Sequence, residues 1–112
     1  MITGVHAIFY STDAEADRAF LRDVLGLPQY EATPGWPLFQ APGEIGCHPA
    51  DTLSHGITFS CDDIEATVAH LKSRGVRFTG EIVEEGWGWS TYFEMPGGGS
   101  VQLYQPKYER PT

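Results

Sequence analysis

Cys47 and His48 place a thiol beside an imidazole, the residue types of a nucleophile and its base. On a strand, adjacent side chains point to opposite faces, so this pair makes a poor dyad. Neither Cys47 nor Cys61 sits in a CxxC, and two cysteines are not a disulfide framework. Both are expected as partly buried thiols in a reducing compartment. A richer group is aromatic. Trp36, Trp87, Trp89, Tyr92, Phe93 and Tyr104 lie on or beside strand-like runs. Trp87-Gly88-Trp89 puts two indoles on one face of an extended chain. Flat apolar walls with polar tips from Tyr10, Thr58, Ser60, Gln102 and Tyr104 suit a planar or hydrophobic small ligand. The competing use of these rings is to fill a core or a subunit interface, because a short chain needs bulk.

Other chemistries lack their residues. There is no Gly-x-x-x-x-Gly-Lys-Ser/Thr phosphate loop and no Gly-x-Ser-x-Gly elbow. Gly97-Gly98-Gly99 precedes a strand rather than a helix, so it reads as a hairpin turn and not a dinucleotide cradle. With 15 acidic against 7 basic residues the net charge is −8, and no Lys/Arg stripe exists to track a phosphate backbone. Nucleic acid and anionic membrane surfaces are therefore not expected partners. No apolar run approaches the about 20 residues of a membrane span. Met1-Ile2-Thr3-Gly4 does not open a secretory leader, and the expected location is cytoplasmic.

The elements that must position these side chains read as one unit written twice within a single domain, residues 1–112. A shift of 50 residues aligns Phe9 with Phe59, Asp13 with Asp63, Glu15 with Glu65, Ala19 with Ala69 and Leu21 with Leu71. One gap later Gly26 meets Gly75, and Phe39-Gln40-Ala41-Pro42-Gly43 resembles Phe93-Glu94-Met95-Pro96-Gly97. Each unit, about 4–49 and 55–106, opens with a strand (Val5–Ser11, Ile57–Cys61) rich in β-branched and aromatic residues. A helix follows, with Thr12-x-x-Glu15 and Asp62-x-x-Glu65 as N-cap boxes and Gly26 and Gly75 as stops. Three more strands are expected in each unit, near Leu27–Ala32, Trp36–Ala41 and Glu44–His48, then near Val76–Val83, Trp89–Met95 and Ser100–Gln105. The fold class is thus α+β, with two tandem β-α-β-β-β units whose curved mixed sheets enclose a cleft. On the opening strand His6, Ile8 and Tyr10 share one face and Ala7, Phe9 and Ser11 the other; the second set belongs against the helix, so His6 should face the cleft.

This plan resembles the vicinal oxygen chelate superfamily, which includes glyoxalase I, extradiol dioxygenases and bleomycin-resistance proteins. The residues that carry the resemblance are Val5-His6-Ala7-Ile8-Phe9-Tyr10, Ala19-Phe20-Leu21-Arg22-Asp23-Val24-Leu25-Gly26-Leu27, and the closing turn and strand Met95-Pro96-Gly97-Gly98-Gly99-Ser100-Val101-Gln102-Leu103-Tyr104-Gln105-Pro106. They span Val5 to Pro106 in order. They specify a fold and not a reaction, because this fold hosts many chemistries.

The resemblance implies that metal-dependent members hold a divalent ion, Zn, Ni, Mn or Fe, with His and Glu from opening and closing strands. His6 matches the first histidine position. In the gapless register Gly56 stands opposite His6, which turns His55 away from the cleft; a register one residue shorter would bring His55 in. The closing glutamate position is Gln102, a weak metal donor able to hydrogen-bond a ligand. In the first unit Glu44 or His48 supplies the remaining donor of the candidate metal set His6, His48 and Glu44.

Three readings follow. In the first, the chain binds a small aromatic or hydrophobic molecule without the standard metal triad and needs no cofactor. The expected ligand contacts are then His6, Tyr10, Trp89, Tyr92, Gln102 and Tyr104. In the second, it is a metal-dependent lyase or dioxygenase of the glyoxalase I type using His6, whose ion polarises a substrate oxygen. In the third, it is non-catalytic with a vestigial cleft. The resemblance also implies a homodimer.

Overall fold

A computed structural model describes residues 7–43, 47, 49–52 and 54–108. Two aspartates start its two long helical segments. The carboxylate of Asp13 accepts the Ala16 N–H at 3.2 Å and opens α1 (Ala14–Ala19); that of Asp63 accepts the Ala66 N–H at 3.1 Å and opens α2 (Ile64–Ser73). The expected caps Thr12 and Asp62 are each displaced by one residue. In both runs of cap-type side chains, the aspartate that reaches the third helical N–H takes the position. The two caps nonetheless stand 50 residues apart, in the repeat register. Helix α1 widens into a π-helical turn over Phe20–Val24, where the Leu25 N–H bonds the Phe20 carbonyl at 3.0 Å. Gly26 (φ 71°) and Gly75 (φ 87°) end the helices in the left-handed conformation that a side chain resists.

In the first half, β1 (Gln29–Thr33) and β2 (Trp36–Phe39) form an antiparallel hairpin. Residues 7–11, expected as part of an opening strand, make no regular pairing. Residues 44–46 and 48 of the expected closing strand lie outside the described residues. In the second half, β3 (Thr58–Ser60), β4 (Val83–Glu85), β5 (Gly88–Glu94) and β6 (Ser100–Pro106) make a four-stranded mixed sheet in the order β3-β6-β5-β4. Strand β3 runs parallel to β6, and the other neighbours are antiparallel. With α2 this is the expected β-α-β-β-β order. The strand expected over Val76–Val83 is shorter. The chain touches β5 at one bridge, Phe78 to Phe93, and pairs regularly only from Val83. The Thr91 hydroxyl donates to the Gly80 carbonyl at 2.9 Å, so a side chain replaces a ladder partner there.

The apolar side of this sheet carries the core. Phe93, Met95, Val101 and Leu103 pack with Ile64, Val68 and Leu71, which recur along one side of α2 at helical spacing. The first half supplies Phe20, whose ring centroid lies 6.0 Å from that of Phe93. Phe59 and Phe78 flank Phe93 at 6.5 and 5.7 Å. The buried carboxylate of Asp17, also from α1, accepts the Gly97 N–H at 2.8 Å. No helix among the described residues is long and apolar enough to cross a membrane.

Candidate functional site

Strand alternation gives the sheet a second, polar side. On β6, Ser100, Gln102 and Tyr104 alternate with the buried Val101 and Leu103, so they point away from the helices. Register places Thr58 of β3 and Tyr92 of β5 directly beside Gln102, one on each flank. Their side chains join across three strands. The Thr58 hydroxyl donates to Gln102 Oε1 at 3.1 Å, and Gln102 Nε2 donates to the Tyr92 hydroxyl at 3.3 Å. Directly opposed side chains on one side of a sheet are the pairs able to interact in this way.

A recess of about 440 Å3 lies over this row. The segment 8–10 forms one wall, the segment 55–57 another, and Thr58, Tyr92, Ser100 and Gln102 the sheet side. Phe9 turns toward Phe59 at 6.5 Å and packs against the core, so its neighbours Ile8 and Tyr10 face outward. Tyr10 is 94% exposed and therefore forms a rim rather than a floor.

The expected site residues separate. Tyr10, Tyr92 and Gln102 come together at this recess. Tyr104 shares the Gln102 side but lies one row along, with its hydroxyl 3.0 Å from that of Tyr108 and its ring edge-on to Trp87 at 5.4 Å. Trp89 has the opposite parity to Tyr92 and packs against the core, with the Lys107 ammonium 4.9 Å from its ring centroid. It therefore lies on the opposite side of the sheet from Tyr92, because residues along one strand alternate sides. The common face expected for Trp87 and Trp89 is likewise absent. Trp87 sits in the turn between β4 and β5, where strand alternation does not apply. His6, Glu44 and His48 lie outside the described residues.

Sequence reasoning turned His55 away from the cleft, yet it lines the recess with Gly56 and Ile57. Regular pairing starts only at Thr58, so strand parity does not govern residue 55. Ser100 was also missed, although its parity with Gln102 marks it. Cys47 is exposed rather than partly buried. Cys61 is partly buried beside the Tyr104 carbonyl, 3.5 Å from its sulfur, and burial pushes its thiol pKa up against the opposing pull of a hydrogen bond with Thr67.

Among the described residues no group of three His, Cys, Asp or Glu side chains converges as a metal site. The recess offers one imidazole and one amide, and that amide is already engaged by Thr58 and Tyr92. This described donor set does not fit a divalent ion.

The chain belongs to the Glyoxalase/Bleomycin resistance protein/Dioxygenase superfamily, whose family model matches residues 4–103. Members of this superfamily bind small molecules, often use divalent metals and often form dimers. Among solved structures the chain is similar to TnmS3, an antibiotic binding protein from Streptomyces sp. CB03234. The identity is 23% and the TM-score 0.68, covering 96% of this chain and 100% of that one. A glyoxalase/bleomycin resistance protein from the same organism is 25% identical with a TM-score of 0.61, over 85% of this chain and 93% of that one. Lactoylglutathione lyase from Agrobacterium tumefaciens is 20% identical with a TM-score of 0.59, over 92% and 96%. No curated protein matches the chain.

Proposed function

We propose that this chain binds a small aromatic or hydrophobic molecule in the recess beside Gln102 and does not turn it over. The observation that carries the reading is the Thr58–Gln102–Tyr92 row, an amide held between two hydroxyls on the side of an open recess. A group fixed at both ends presents its remaining hydrogen-bonding capacity in a set direction, and this favours binding with orientation. The similarity to an antibiotic binding protein is compatible with that use, although at 23% identity it speaks for the fold alone. The same reading takes the chain as one domain of two units, about 4–49 and 55–106, acting as a cytoplasmic homodimer. Calorimetric titration with a panel of planar aromatic molecules tests it. Saturable binding near one molecule per chain, weakened about tenfold by Gln102→Ala, is the expected result. No binding across the panel returns the cleft to a vestigial role.

His55 on the wall of the recess supports a second reading, a metal-dependent lyase or dioxygenase of the glyoxalase I type with His6 as a ligand. Stoichiometric Zn, Ni, Mn or Fe in purified protein, lost on His6→Ala, would establish it over the first.

A further inference from the structure

We propose that the recess recognises its occupant through a neutral acceptor oxygen, a ketone or amide carbonyl, that takes the hydroxyl proton of Tyr92. The proposal rests on the binding reading and adds the chemical class of the ligand. Its basis is the direction of the row. Thr58 donates to Gln102 Oε1, and Gln102 Nε2 donates in turn to the Tyr92 oxygen. A hydroxyl that accepts one hydrogen bond keeps its own proton to give. Tyr92 is 47% exposed at the recess, so that proton is available to a ligand there. Donation along a chain also polarises each later member, which makes the terminal hydroxyl a better donor than an isolated phenol. A carbonyl matches this group, whereas a hydrocarbon of the same outline leaves it unanswered.

The identity of residue 102 sets the direction. Both oxygens of a glutamate at this position would accept, so Tyr92 would turn its proton toward residue 102 and have none left for a ligand. The amide is therefore the chemically deciding feature. Gln102→Glu changes almost no volume and reverses the link to Tyr92 while the Thr58 hydroxyl still donates, whereas Tyr92→Phe removes the donor and keeps the ring.

Two matched planar pairs probe the proposal, 9-fluorenone with fluorene and xanthone with xanthene, titrated against the full chain by calorimetry. Wild type is expected to favour each ketone over its methylene partner by about tenfold, the size of one neutral hydrogen bond in a partly dry site. Tyr92→Phe and Gln102→Glu are each expected to bring that ratio close to one. A ratio near one in wild type overturns the proposal and leaves the binding reading standing. So does a preference that survives in either variant. Absence of saturable binding by all four compounds overturns both.

Discussion

The carboxylate of Asp17 in α1 accepts the backbone N–H of Gly97, 80 residues further along the chain, at 2.8 Å. Asp17 is 6% exposed, and a Cβ at Gly97 would run into its carboxylate and into the Ser11 hydroxyl. The first helix therefore holds the turn that leads into β6, the strand bearing Gln102. Asp17→Ala strands a partly buried N–H. It is expected to lower unfolding free energy by about 1–3 kcal/mol, read from urea denaturation, with Asp17→Asn milder because an oxygen acceptor remains.

Phe93 is the centre of the core, fully buried and in ring contact with Phe20, Phe59 and Phe78. Phe93→Ala should cost about 3–5 kcal/mol, because rings donated by three separate segments cannot collapse together into one void. Thermal or chemical denaturation gives the value. A loss under about 1 kcal/mol would contradict the packing described.

The two thiols should react at unequal rates. Cys47 is exposed, whereas Cys61 is partly buried and its thiol is held above its ordinary pKa by that burial. The thiolate is the reacting form, so alkylation by iodoacetamide near pH 8, mapped by mass spectrometry, should label Cys47 first. The sign for stability follows from the same shift. Below the unfolded thiol's pKa both states are protonated and Cys61 contributes nothing. As pH rises from there toward the higher folded value, the unfolded chain ionises first and stability falls.

Glu84 accepts from the Lys107 ammonium at 2.8 Å, and this hydrogen bond holds its carboxyl below the usual glutamate range. A depressed folded pKa contributes stability above the unfolded pKa, and that contribution is lost as pH falls through the folded one. Melting curves of Glu84→Gln and wild type should therefore converge below about pH 3 and separate, with wild type higher, above about pH 5. Added salt should shrink the separation, because both groups are at the surface.

Much of the frame was legible in the residues. Thr12 and Asp62 mark the helix starts to within one residue, Gly26 and Gly75 mark the ends, and the alternation of Val101, Gln102, Leu103 and Tyr104 already assigns β6 two unlike sides. Trp89 was grouped with Tyr92 by ring type, although parity alone separates them. The caps slipped by one because Thr12 and Asp62 are cap-type residues too, and only backbone geometry decides between neighbours. His55 was misplaced by extending strand alternation into residues that do not pair. The joining of Thr58, Gln102 and Tyr92 could not be read at all. It needs the register of two separate pairings, one parallel and one antiparallel, and register between distant strands is a tertiary property.

The stacking of Phe20 on Phe93 carries a consequence for ancestry. If the halves arose by copying, they now share one interior. A truncated gene encoding only the latter copy would produce a sheet stripped of one ring of its own interior. Once such dependence is established, the fused form is hard to undo. A change in either copy is then screened by its fit to the other, whatever molecule the cleft holds.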